Sequence, residues 1–133
     1  MAVFINKGWA AERKPELYTV VPGAIVAVAW KDASGRSCWR FFFRLDAFEE
    51  KVRRQQLAEA TRWAQAHVGE RDWTAFAGDR NCTCYASERQ SSAKTTWCPS
   101  AEMNTAWEKW LHSLAGAEVV QQAELTWGRI YRS

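Results

Sequence analysis

No apolar run in this sequence approaches the roughly 20 residues that a bilayer-spanning helix needs, so a helical membrane span is excluded. Long basic tracts are missing too. No run of lysine or arginine exceeds two residues, and with a net charge of +3 the chain permits a polyanionic partner without demanding one. The apolar patch Ala2 to Ile5 is broken at once by Asn6 and Lys7, which rules out a signal peptide. Without such a leader the four cysteines read as reduced thiols, and the expected compartment is intracellular, cytoplasmic or nuclear. No internal repeat is visible.

What is present suits one ordinary domain. The chain has 133 residues, 47% apolar and 25% charged, enough for a single core and too short for two comfortable ones. Nine tryptophans stand out. Trp30, Trp39, Trp63, Trp73, Trp107 and Trp110 lie inside patterned segments, which points to core packing. Trp9, Trp97 and Trp127 lie in loop-like contexts, where a ring is placed to stack on a ligand.

In chain order, Ala2-Val3-Phe4-Ile5 reads as a short strand, and a domain that opens in mid-strand suggests truncation. Lys7 to Glu16, with Pro15, reads as a loop. Leu17 to Val21 is rich in β-formers and stops at the turn dipeptide Pro22-Gly23. Ala24 to Trp30 is a nearly continuous apolar strand, which suggests cover on both faces. Lys31 to Arg36 is a hairpin loop by composition. Ser37 to Leu45 then alternates, with Trp39, Phe41, Phe43 and Leu45 on one face and Cys38, Arg40, Phe42 and Arg44 on the other.

Asp46 to Val68 is the strongest helix. Asp46 and Glu49 have the spacing of a capping box, and Phe48, Val52, Leu57, Ala60, Trp63, Ala64 and His67 approximate an apolar stripe. Trp73 to Ala77 reads as a buried strand of about five residues. Cys82 to Ser100 lacks periodicity, and a loop of that length is more often functional than idle. A helix from Asn104 or Thr105 to Leu114 buries Trp107, Trp110, Leu111 and Leu114. Strand-like pieces follow at Val119-Val120 and Leu125 to Trp127. Two hairpin strands, a crossing helix and a further strand make a layered α/β domain.

The Trp73 strand ends in Gly78-Asp79-Arg80-Asn81. Open α/β sheets place their chemistry at such strand ends, although Gly, Asp and Asn also suit a plain turn. The order of hairpin strand, Arg44-Leu45-Asp46, a helix with Arg53-Arg54-Gln55-Gln56-Leu57, then Ala77-Gly78-Asp79-Arg80-Asn81 resembles the endonuclease/exonuclease/phosphatase superfamily. That fold is shared by exonuclease III-like enzymes, deoxyribonuclease I and retrotransposon endonucleases. In it an "Arg-x-x-Gln-Leu"-like helix precedes a strand ending Gly-Asp-Phe-Asn, and an acidic-Arg pair often follows. Arg53/Arg54 to Leu57, Gly78-Asp79-x-Asn81 and Glu88-Arg89 stand in those places here.

The resemblance implies a partial deoxyribonuclease I-like layered β-sandwich flanked by helices, with a mixed sheet and an antiparallel hairpin. It implies a Mg²⁺-dependent phosphodiesterase acting on DNA. Asp79 would orient or deprotonate the attacking water, and Asn81 would hold a non-bridging phosphate oxygen; alternation along a strand would point both the same way. Arg44, Arg80 and Arg89 would contact nucleic acid.

The departures are equally concrete. The family's Asn and metal-binding Glu on its first strands, and its Asp-His pair near the C-terminus, have no counterpart. His67 and His112 both fall in helices, Arg44 stands where a Tyr or His is usual, and Arg80 replaces an aromatic residue. Residues 1–133 therefore read as one truncated domain, inactive or weak alone, from a parent polyprotein that would also hold a reverse-transcriptase domain. Its truncated edges would favour self-association. Other readings stay open. They are a non-catalytic α/β domain binding nucleic acid or another anion through Arg40, Arg44 and Arg80, and a metal-dependent phosphatase acting on a small molecule or lipid. Cys82-x-Cys84 with Cys98, plus Cys38 or a histidine, forms a weak zinc pattern, against Cys38 as a sheet residue and the others as plain loop thiols. Arg53 and Arg54 suit a solvated helix face or ion pairs with Glu49 and Glu50.

Overall fold

The computed structural model describes residues 2–81 and 100–114. The chain is mixed α/β, with helix α1 (Lys7–Arg13), strands β1 (Glu16–Val21), β2 (Ile25–Lys31) and β3 (Ser37–Arg44), helix α2 (Glu50–His67), strand β4 (Trp73–Asp79) and helix α3 (Ala101–Ser113). The strands form one sheet in the order β1-β2-β3-β4. β1 to β3 run as an antiparallel meander, and α2 carries the chain over to β4, which lies parallel to β3. A parallel neighbour needs such a crossover, and the long helix provides it.

The turns follow from local chemistry. Between β1 and β2, the Ala24 amide donates to the Val21 carbonyl at 3.0 Å. Pro22 and Gly23 (φ 72°) occupy the middle of that turn, the residue types a type II turn takes. Between β2 and β3 the Asp32 carboxylate gathers the loop. Its Oδ1 accepts the amides of Ser34 and Arg36 and the Ser34 hydroxyl, and its Oδ2 takes Arg36 Nε at 3.2 Å.

Strand alternation sorts the sheet into two faces. Trp39, Phe41 and Phe43 meet α2 and α3. Phe41 touches Trp63 and Trp110 edge-on, and Phe43 touches Trp107. Leu57, Ala60 and Ala64 of α2, and Met103, Trp107 and Trp110 of α3, are buried there. The opposite face carries Val28, Trp30, Arg40 and Phe42, and α1 lies on it through an edge-to-face contact of Trp9 with Trp30 at 5.2 Å.

Several expectations are corrected. Ala2 to Ile5 forms no strand, and Lys7 to Arg13 is a helix rather than a loop. Asn6 caps it by accepting the Trp9 amide, and Lys14 in the left-handed region closes it before Pro15. The two long helices keep their cores but shift their ends. α2 begins at Glu50, and α3 begins at Ala101 behind a Ser100 cap that accepts the Met103 amide. β4 spans seven residues and is half-exposed, because among the described residues it is a sheet edge rather than a central strand. Arg53 and Arg54 are half-buried, and Arg53 Nη1 donates to the Asp46 carbonyl instead of pairing with Glu49 or Glu50. The expected partial layered α/β fold holds: a mixed four-stranded sheet with an antiparallel hairpin, flanked by helices. No helix among them is long and apolar enough to cross a membrane.

Candidate functional site

The carboxyl ends of the parallel pair β3 and β4 bring Arg44 and Asp79 into register. Both side chains are exposed, on the sheet face away from α2 and α3. Just before them the two strands approach closely. Gly78 sits at φ 149°, and a Cβ there would stand 1.9 Å from the Phe43 carbonyl oxygen. Only glycine fits that position.

Beyond Asp79 the strand stops. Asn81 lies at φ 50°, a left-handed conformation that Asn tolerates better than most residues. Its backbone amide donates to Asp79 Oδ1 at 2.9 Å, and its side-chain Nδ2 donates to the Leu45 carbonyl at 2.7 Å. The Leu45 amide in turn donates to the Asp79 carbonyl at 3.0 Å. Asp79 and Asn81 are thus neighbours through a tight Asx turn. Strand alternation, the geometry expected from sequence, does not reach Asn81.

A second set of bonds fixes the other side of this turn. Gln56 Oε1 accepts the Asp46 amide at 2.9 Å, and Arg53 Nη1 donates to the Asp46 carbonyl at 3.0 Å. Asp46 Oδ1 accepts the amides of Phe48 and Glu49. Those amides, first Glu49 and then Phe48, together with the Arg53 charge, hold the Asp46 carboxyl below its ordinary value. Leu57 completes the spacing by packing in the core. The residues of the "Arg-x-x-Gln-Leu" stretch therefore position the loop that Asn81 grips. Sequence reasoning singled out the stretch but not this role. Asp46 stood too far in sequence from Gln56, and Leu45 from Asn81, for spacing to join them.

The other predicted residues separate. The Arg80 guanidinium lies over the Trp107 ring, 4.6 Å from its centroid, on the α3 side of the sheet. Arg44 projects from the opposite face, so the two cations do not converge. Arg89 falls outside the described residues, as do Glu88, Cys82, Cys84, Cys98, Trp97, Trp127 and the two late strand-like pieces. Cys38 is buried on the sheet.

Magnesium takes hard oxygen donors in octahedral geometry. The described side-chain oxygens at this end are the Asp79 carboxylate, one of whose atoms already accepts an amide, the Asn81 side chain, and the Asp46 carboxylate, whose Oδ1 is committed to the entry of α2. Among the described residues no three His, Cys, Asp or Glu side chains gather around a point. These donors alone do not make a magnesium site. Comparison of the chain with protein-family models, with curated proteins and with solved structures finds no match.

Proposed function

We propose that the Gly78–Asn81 turn belongs to a phosphodiester-cleaving site of the endonuclease/exonuclease/phosphatase kind, acting on DNA. One observation carries the reading. A Gly-Asp-x-Asn turn stands at the carboxyl end of a parallel strand, and the preceding Arg53, Gln56 and Leu57 helix holds the facing loop. In this reading Asp79 receives a proton from, or orients, the attacking water, and Asn81 donates to a phosphate oxygen. Arg44, exposed beside Asp79, offers a cation to the phosphate. Arg80 and Arg89 are further proposed DNA contacts. Mg²⁺ would belong to the complete site, where it would polarise the phosphate; the described donors alone do not hold it. The setting we infer is an intracellular parent polyprotein with a reverse-transcriptase domain.

A second reading is favoured by the same turn. Asp79 Oδ1 and Asn81 Nδ2 each already have a partner, an arrangement that suits a rigid anion-binding loop beside Arg44 without turnover. Plasmid nicking in Mg²⁺ separates the two. The first reading expects nicking by the wild type that Asp79→Ala abolishes. Equal nicking by both removes Asp79 from the mechanism. Plasmid binding weakened by Arg44→Ala, with no nicking by the wild type, supports the second.

A further inference from the structure

The sheet face opposite α2 and α3 carries a cleft that the turn at Asn81 does not use. It has a volume of about 320 Å³ and lies between the N-terminal segment and strands β2 to β4. Phe4, Trp9, Trp30, Phe42 and Trp73 line it together with Arg40. The rings form a chain across the sheet. Trp9 meets Trp30 edge-on at 5.2 Å, and Trp30 meets Trp73 at 6.1 Å. Trp73 is 44% exposed and Phe4 is 95% exposed, so apolar ring surface faces solvent. The Arg40 guanidinium lies 5.6 Å from the Phe42 ring centroid, exposed at the cleft.

We propose that this cleft holds an unpaired base of a single-stranded nucleic acid, stacked on its aromatic rings with Arg40 against the adjoining phosphate. Three observations select this occupant. The volume lies at the lower end of the range that small-ligand sites span, on the scale of one flat ring system. Among the described lining residues Arg40 carries the only charge, so the cleft pairs a cation with π surfaces, the combination that single strands use. Arg44 continues the same strand face about 13 Å further along, at four residues of strand rise. A backbone laid over β3 would therefore meet a second cation.

A second copy of the chain fits less well. A self-complementary contact would bury Arg40 against an apolar partner. Among the described residues the one acid at strand positions on this face, Asp79, lies at the far end, opposite Arg44. A duplex keeps its bases paired and stacked, and offers no free ring to the cleft. The inference shares a nucleic-acid partner with the proposed function but uses neither Asp79 nor Asn81.

The test uses the full chain and a fluorescein-labelled oligothymidylate of about 12 nucleotides, within the site sizes of such platforms. A chelator replaces divalent metal, so cleavage does not enter. Binding should quench tryptophan emission. Trp73→Ala should weaken it about tenfold, with recovery in Trp73→Phe. Arg40→Ala should weaken binding and flatten its salt dependence. Phe42→Leu keeps apolar volume and removes the ring, so its weaker binding carries the test should Trp73→Ala not fold. Equal affinity for a duplex of the same length, or for polyphosphate, overturns the stacking. Wild-type affinity in the folded ring variants overturns it as well, and so does dimer formation without oligonucleotide binding. Failure here leaves the phosphodiester reading standing, and failure of nicking leaves this one.

Discussion

Replacing Gly78 with alanine should be the most damaging single-methyl change in the sheet. Two costs add. The backbone at φ 149° strains any residue with a Cβ, worth about 1–3 kcal/mol. The new Cβ would also meet the Phe43 carbonyl oxygen at 1.9 Å, against about 3.3 Å for an ordinary C···O contact. The Phe43 nitrogen and carbon, both at 2.8 Å, are backbone too, so no side chain can swing aside. β3 and β4 would have to part by more than an ångström, weakening one or two ladder bonds of about 1 kcal/mol each. The sum is about 2–5 kcal/mol, a large share of the 5–15 kcal/mol typical of a domain. At about 4 °C per kcal/mol for this size, Tm should fall by about 8–20 °C.

Gly35→Ala separates the two costs, because Gly35 has φ 84° and nothing within 4 Å of a built Cβ. It should lose only the conformational part, about 1–2 kcal/mol. Urea unfolding followed by tryptophan emission gives both values. Amide exchange at Leu45, whose N–H bonds to Asp79, would locate the damage. Should Gly78→Ala unfold at the same urea concentration as Gly35→Ala, the close approach of β3 and β4 is wrong.

Other expected outcomes follow from single contacts. Asp72 Oδ2 accepts Trp39 Nε1 at 2.9 Å and the Gly69 amide at 2.8 Å, so Asp72→Ala should cost about 1–3 kcal/mol by leaving the indole N–H unpaired. A double-mutant cycle with Trp39→Phe should shrink that loss; an unchanged loss would mean the bond contributes nothing. The Ser34 hydroxyl, then the Arg36 and Ser34 amides and the Arg36 charge, hold Asp32 down from 3.8 to about 2. A folded value below the ordinary one stabilises above pH 3.8 and is lost as pH falls through about 2. The stability gap between wild type and Asp32→Asn should therefore narrow in acid denaturation series, and a constant gap would refute the assignment. Asn81→Gly removes one hydrogen bond but relaxes the φ of 50°, so it should cost at most about 1 kcal/mol. Asn81→Asp turns an acceptor on the Leu45 carbonyl and should cost more; the reverse order in thermal melts would contradict the amide orientation.

The parts of this fold legible in sequence are those where burial imposes a period. The alternation of Ser37 to Leu45 is visible because one face meets α2 and α3, and the stripe of α2 for the same reason. α1 was illegible. It buries no residue and rests on one cap and one tryptophan contact, so neither stripe nor length marks it. Ala2 to Ile5 has strand-like composition, but composition does not supply a pairing partner. The edge position of β4 among the described residues was hidden because pairing on one side or on two leaves the same residues in the strand. At the candidate site, position 79 could be placed from the strand pattern. The backbone reversal at Asn81 and its bond to Leu45 could not, because they join segments 36 residues apart.

Leu45 is held at both its backbone groups by the 79–81 turn, while the next residue is held by the first turns of α2. A guest molecule that takes the second N–H of the Asn81 side-chain amide would share its donor nitrogen with that carbonyl. The strand exit and the helix entrance would then register its arrival together, and spectroscopic probes on Phe48 or Glu49 would report occupancy without touching the guest.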